Sequence, residues 1–312
     1  MSVSSKRFLQ VISSFVPDAA TLADPTTPHL LLDGHEVLSV QGIPGVEVRA
    51  DKDGEIAVAE IVVAPGAIVV PTIHTCIGFL QAREIQRLRI RVRIGEGASA
   101  RLLAHCLFPN AEQAEHTMDA VVEVGANATL RYSEGHFHGP IGGIVVSPTL
   151  DVRVAEGAHY VSDFSLLQGG VGRLRIAQRI EVGANGVAEV TARVSARGHD
   201  DVRIEDELVL SGRASRGLVK TRVALADDAR AAVIGITRGC AEGARGHMDC
   251  MELVRDRAVA RAEPIVEVSH PLAKVTHEAA VGTVDQAQLE TLLAHGLTPD
   301  EAIDLIVTGI LR

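Results

Sequence analysis

The stretch Glu181-Val182-Gly183-Ala184-Asn185-Gly186-Val187-Ala188-Glu189-Val190-Thr191-Ala192-Arg193-Val194 holds the fold in miniature. An apolar strand end runs into a small-residue turn, and the residues beyond it alternate apolar and polar, the period of a half-buried strand. The same strand end and turn recur at Arg93-Ile94-Gly95-Glu96-Gly97-Ala98, Glu123-Val124-Gly125-Ala126-Asn127, Arg153-Val154-Ala155-Glu156-Gly157-Ala158 and Val209-Leu210-Ser211-Gly212-Arg213-Ala214. The last apolar residues, Ile94, Val124, Val154, Val182 and Leu210, are 30, 30, 28 and 28 residues apart. A second register, half a period away, ends at Leu225, Leu253 and Val268. Each repeat supplies two long strands and two turns and cannot bury its inner face alone, so successive coils must stack. The predicted class is all-β, a right-handed parallel β-helix, with the hand set by strand twist. An antiparallel sandwich permits the same turns but rarely keeps a fixed period. A left-handed hexapeptide helix needs its apolar-Gly signature every six residues or so, and here it comes once per coil.

The ends depart from this pattern. Residues 1–45 are expected to be a helical or irregular segment, opening on a short amphipathic helix over Met1–Pro17; the β-helix should fill 46–283 and helices should occupy 284–312. Asp285-Gln286-Ala287-Gln288 reads as a helix N-cap, with Gly296 as terminator, and Thr298-Pro299-Asp300-Glu301 as a capping box with Pro at the first helical position. The apolar residues of these two helices need the solenoid end or a partner to cover them.

Composition suits a narrow coil. Of 312 residues 46% are hydrophobic, yet only 2 are Tyr, 6 Phe and none Trp, so the thin interior is built from Ala, Val, Ile and Leu. A net charge of −10 and so few aromatics leave neither a phosphate-neutralising surface nor a base-stacking platform, and nucleic-acid binding is excluded. Mean hydropathy is +0.19, but the most apolar stretch, Ile56–Ile77, is broken by Glu60, Pro65, Gly66, Pro71 and His74, so no membrane span is expected. Without a signal peptide and with four scattered cysteines, a cytoplasmic protein without disulfides is expected.

Thiols and imidazoles carry the candidate chemistry. Glu134, His136 and His138 alternate along one strand face, as in a cupin-type metal site, although no Glu follows the second His; solvent-facing strand residues are the plainer reading. The second cluster joins Gly246-His247-Met248-Asp249-Cys250-Met251-Glu252 to Val275-Thr276-His277-Glu278-Ala279-Ala280. Cys250 stands 28 residues, one coil, before Glu278, so the thiol and the His277-Glu278 pair should lie on adjacent strands about 5 Å apart. In a regular strand only one of His277 and Glu278 shares the face of Cys250. A thiolate with imidazole or carboxylate suits iron or zinc better than hard cations.

These motifs, followed by Pro264-Ile265-Val266-Glu267-Val268, His277 to Gly282, Gln288-Leu289, Gly296-Leu297-Thr298, Glu301-Ala302 and Ile306-Val307-x-Gly309, resemble the C-terminal core of the SufB/SufD family, scaffold proteins of the SUF iron–sulfur cluster assembly system. The resemblance runs from about Gly239 to the end. It implies a scaffold, not an enzyme, with no catalytic residues of its own, that receives sulfur from a cysteine desulfurase, gathers iron and builds a transient iron–sulfur cluster. Cys250 and Glu278 match the residues implicated in assembly in SufB-like members, with the neighbouring His277 a further ligand; on chemical grounds His247 can also complete the shell, with Asp249 or Glu252 orienting it from outside. The pair makes the chain look SufB-like, of a compact archaeal type that lacks the long N-terminal region of larger members and pairs as a homodimer in place of a SufB–SufD heterodimer. Its C-terminal helices would dock a SufC-like ABC ATPase, where the ATPase activity resides. The alternatives are a SufD-like structural partner holding no cluster, and a metal-dependent cupin-like or β-helix enzyme using Glu134, His136 and His138. Sulfur entry through Cys250 or through another thiol such as Cys106 stays open.

Overall fold

The computed structural model describes residues 8, 10, 11, 13, 21, 22 and 24–311. The helix expected over Met1–Pro17 therefore lies outside the described residues apart from Phe8, Gln10, Val11 and Ser13. Strands alternate between two sheets. One contains β1 (His29–Asp33), β2 (Glu36–Gln41), β5 (Ile73–Gly78), β7 (Ser99–Phe108), β9 (Thr129–His138), β11 (His159–Gln168), β13 (Val187–Ala196), β15 (Arg216–Leu225), β17 (Arg245–Val254) and β19 (Lys274–Gly282). The other contains β3 (Val46–Asp53), β4 (Ile56–Val63), β6 (Ile85–Ile94), β8 (Ala114–Val124), β10 (Ile144–Val154), β12 (Gly172–Val182), β14 (Asp201–Leu210), β16 (Arg230–Gly239) and β18 (Val259–Val268). From β4–β5 to β18–β19 the chain forms eight stacked coils of a parallel β-solenoid, each laying one strand on each sheet.

Side-chain alternation turns each repeat into a rung of the core. Val92, Val122, Val152, Ile180 and Leu208 are register neighbours on successive strands and all are buried. Burying one such side chain stabilises by roughly 1.5–3 kcal/mol. Strands β6, β8, β10, β12 and β14 end at the apolar residues that set the sequence period. The turns after these five strands and after β16 form one column of left-handed residues, Gly97, Asn127, Gly157, Asn185, Ala214 and Gly243, with φ between 55° and 70°. Gly and Asn adopt that conformation readily; Ala214 is the exception in the column.

The solenoid begins earlier than the sequence boundary at 46. Gly34 and His35, the former at φ 59°, close a tight hairpin between β1 and β2, and β1 pairs in parallel with β5. Residues expected to be irregular thus form part of the first sheet, because Leu30, Leu31 and Leu32 are buried there.

The two ends are finished differently. At the N-terminal end both sheets close with antiparallel strands, β1–β2 and β3–β4. At the C-terminal end β18 and β19 are the last strands of their sheets, and Ile265, Val266, Val268 and Val281 are exposed. Helices α1 (Gln286–Ala294) and α2 (Pro299–Ile310) follow. Asp285 caps α1 by accepting from the Gln288 amide, and Thr298 with Glu301 forms the capping box of α2. Asp304 and Val307 of α2 share a cleft with Leu225, Leu253 and Arg255 on the coil flank, whereas α1 buries no residue.

Candidate functional site

Strand β17 turns Gly246, Met248, Cys250 and Glu252 into the coil and His247, Asp249 and Met251 outward. The coils at this level are 29 residues long: Arg216, Arg245 and Lys274 are register partners. Cys250 therefore lies beside Ala279, Asp249 beside Glu278, and Met248 beside His277. One residue more than the 28 assumed from sequence flips every side chain to the other face. The structure puts His277 on the inner face with Cys250, and Glu278 and His247 on the outer face.

On the inner face, Cys250 stacks on Thr221, whose hydroxyl donates to Asp206 Oδ2 at 3.2 Å, and Gln178 Nε2 donates to Asp206 Oδ1 at 2.6 Å. Burial pushes Asp206 up to about 6 in spite of these bonds. Burial, reinforced by Glu252 and Asp206, pushes the Cys250 thiol up to about 12, so without a metal it stays protonated at neutral pH. Glu252 is fully buried, its carboxylate oxygens find no side-chain partner among the described residues, and burial raises it to about 7. Across the coil, Met248 and His277 both press on Gly235, and burial followed by the nearby His247 lowers His277. A thiol and a carboxylate thus share the interior one coil from the open end, with an imidazole on the same inner face of the terminal coil. Asp206 and Thr221 were not foreseen from sequence, and Glu252 stands beside the thiol instead of behind it; its i+2 spacing from Cys250 was the available signal.

The outer face is a separate polar patch. Arg222 grips Asp249 with Nη1 at 3.0 Å and Nη2 at 2.5 Å, which holds the Asp249 carboxyl below its usual range. His247 Nδ1 and Thr276 Oγ1 are 2.8 Å apart, and Glu278 is exposed.

A second constellation lies in the N-terminal half. Glu134, His136 and His138 are not solvent-facing: all three are buried. His136 Nε2 is 2.7 Å from Glu134 Oε1, Cys106 Sγ is 3.7 Å from that oxygen, and the Tyr132 hydroxyl donates to Glu134 Oε2. His136 Nδ1 and His138 Nε2 are 3.2 Å apart. Burial works to raise Glu134, but hydrogen bonds and charge from His136 with the Tyr132 bond leave it lowered. Burial and Glu134 push the Cys106 thiol well up. Burial, with His136 adding to it, lowers His138 well below its ordinary value and His116 to about 3. Cys106 was missed as a member, although the 30-residue coil step in this region sets it beside His136.

Fold and sites together define a parallel β-solenoid whose interior carries soft-metal donors at two levels, and among the described residues no helix is long and apolar enough to cross a membrane. Residues 79–310 match the family described as SUF system FeS cluster assembly, SufBD core domain. The chain is 35% identical to an iron–sulfur cluster assembly SufBD family protein of Methanocaldococcus jannaschii, covering 91% of this chain and 90% of the relative. It is 30% identical to another of Pyrococcus horikoshii, covering 90% and 86%. The iron–sulfur cluster assembly protein SufB of Bacillus subtilis is 33% identical over 73 residues, 23% of this chain and 16% of that protein. The chain belongs to the SufBD family of iron–sulfur cluster assembly proteins.

Proposed function

We propose that this chain is the scaffold subunit of a cytoplasmic SUF-type assembly complex, without enzymatic activity of its own, and that the cluster is built at Cys250. The observation that carries the reading is the thiol of Cys250 beside Glu252 and on the inner face with His277, one coil from the open end, in a chain of an iron–sulfur assembly family. Iron, arriving as cargo, would displace the Cys250 proton, which burial otherwise holds in place. Alternatively, the thiolate attacks the outer sulfur of a persulfide presented by a cysteine desulfurase; a new S–S bond forms on Cys250 and the donor thiolate leaves. His277 and Glu252 complete the shell from within the coil, and His247 and Glu278, on the opposite face of the same strands, take up iron on its way to it.

Partners follow from the unfinished end. The free edges of β18 and β19 suit a second protomer, a homodimer in this reading, which would extend both sheets and cover Ile265, Val266 and Val281. Helix α1, none of whose residues is buried, and α2 beside it would dock a SufC-like ABC ATPase. The separation of Cys250 from Glu278 favours a second reading, a SufD-like structural partner that holds no cluster. Anaerobic reconstitution with iron and sulfide distinguishes the two. A scaffold shows cluster absorption that falls in Cys250→Ser and Glu278→Ala; unchanged yield in both variants removes the site assignment, and no cluster in the parent protein selects the structural partner. Co-purification with an ABC ATPase, abolished by truncation after Gly282, tests the docking helices.

A further inference from the structure

We infer that Cys106, Glu134 and His136 form a second, closed metal site for a borderline divalent transition ion, zinc or ferrous iron, inside the N-terminal half of the solenoid. The inference stands apart from the assembly reading. One donor atom from each of the three residues lies within 4.8 Å of those of the other two, and all three side chains are buried. Thiolate plus imidazole plus carboxylate is a donor set for zinc or iron and a poor one for magnesium or calcium.

The surroundings are built for such an ion. Tyr132 donates to Glu134 Oε2, leaving Oε1, the oxygen nearest both Cys106 and His136, for the metal. His138 Nε2 stands 3.2 Å from His136 Nδ1, so His136 can present Nε2 to the ion while its Nδ1–H donates to His138, the outer hydrogen bond that metal-bound histidines characteristically make. From the opposite sheet His116 contributes a buried Nε2 with no hydrogen-bond partner among the described residues, its Nδ1 being held by Gln86 at 2.8 Å. An orphaned polar atom beside three potential ligands is an independent sign that the cluster has an occupant. Cys106 and Glu134 also border a cavity of about 30 Å³ lined otherwise by Thr75, Met118, Tyr132 and aliphatic side chains. That is room for a water or an ion and none for an organic substrate, so the site is structural and the cupin-like enzyme has nowhere to bind its substrate.

Binding balances as a proton exchange. The ion takes the Cys106 sulfur as thiolate and the Nε2 lone pair of His136, and whatever proton each of those atoms carries leaves to solvent; Glu134 binds as carboxylate, and His136 keeps its proton on Nδ1 toward His138. No electron is transferred. Because the donors are sealed inside the coil, the ion enters as the coils close, and loading belongs to folding.

The test uses the full chain carrying Cys250→Ser, so that the proposed assembly site supplies no thiolate, refolded with one equivalent of zinc or cobalt. We expect about one ion per chain, zinc X-ray absorption with a single sulfur near 2.3 Å and the remaining ligands near 2.0–2.1 Å, and a sulfur-to-cobalt charge-transfer band. Adding Cys106→Ala should remove the sulfur scatterer and the charge-transfer band. An ion content below about a tenth per chain, or zinc bound by oxygen and nitrogen alone in the Cys250→Ser protein, overturns the site without relying on the second variant's folding. A charge-transfer band that survives Cys106→Ala also overturns it.

Discussion

Two thiol–carboxylate pairs occupy the same two columns of one sheet. In the first column Ala104, Glu134, Phe164, Ala192, Thr221, Cys250 and Ala279 are successive register partners; in the second, Cys106, His136, Leu166, Val194, Val223, Glu252 and Val281. Cys106 with Glu134 and Cys250 with Glu252 are thus one motif with thiol and carboxylate exchanged between columns, separated by rungs such as Phe164–Leu166 and Ala192–Val194. Their surroundings differ. Glu134 has Cys106, Tyr132 and His136 around it, whereas the Glu252 oxygens have no side-chain partner among the described residues, and the rung beyond Glu252 ends in exposed Ala279 and Val281. The same chemistry is satisfied where the solenoid is closed and left wanting where it is open. A buried unpaired carboxylate persists against a penalty of about 1–3 kcal/mol or more, which is the mark of a group awaiting a ligand or a partner.

The sharpest way to break that contrast is to remove each carboxylate. Glu134→Ala strands three donors in a dry interior, and the loss should be about 3–5 kcal/mol in urea unfolding at pH 8. Glu252→Ala relieves a buried charge at pH 8 but leaves a cavity, two effects of opposite sign, and the change should stay within about 1 kcal/mol in either direction. Equal losses would mean that Glu252 is satisfied in solution and the two levels are alike.

Acidity should separate them with opposite signs. Glu134 lies below its unfolded value, so its contribution is present above about pH 4.5 and is lost as pH falls through its folded value. Buried His116 and His138, lowered as well, act in the same sense and lose stability as pH falls below about 6.5. Asp206, raised to about 6, and Glu252, raised to about 7, work the other way. Their contributions are complete below about pH 4 and are lost as pH climbs through 6 and then 7, each on the order of 3 kcal/mol. Between pH 5 and 8, Glu252→Gln should therefore gain stability over the parent as pH rises, measured by urea unfolding at fixed ionic strength. A pH-independent difference would remove the buried-charge account of the open end.

How far these sites were legible follows from what a period can encode. The strand ends at Ile94, Val124, Val154, Val182 and Leu210 are written by small turn residues, and the structure ends its strands at those positions. The next turn in that series begins at Gly239-Cys240, without an apolar strand end, and the lengthening of the coil to 29 passed unmarked. A one-residue error leaves the fold intact yet decides which of His277 and Glu278 faces Cys250, so the site was less legible than the architecture. Burial was the other hidden quantity: alternation places Glu134, His136 and His138 on one face, but which face points inward depends on the coils 30 residues away on either side.

The finest test acts at Gly235, where the open-end cluster meets the opposite sheet. A Cβ there would overlap Met248 Sδ and stand 2.8 Å from His277 Cε1, while the Cys106 cluster lies several coils away. Met248 is flexible and can yield, and replacing Gly in a strand recovers some backbone entropy, so Gly235→Ala should change global stability by only about 1 kcal/mol. Its effect should appear locally, as reduced cluster yield on reconstitution with zinc content unchanged, because Met248 must move away from Gly235 and His277 is displaced with it. Loss of both would show that the two levels are coupled through the core and not separated by the aliphatic rungs between them. Loss of neither would show that His277 takes no part in holding the cluster, leaving Cys250 to be served by Glu252 or by groups brought in across the β18–β19 edge.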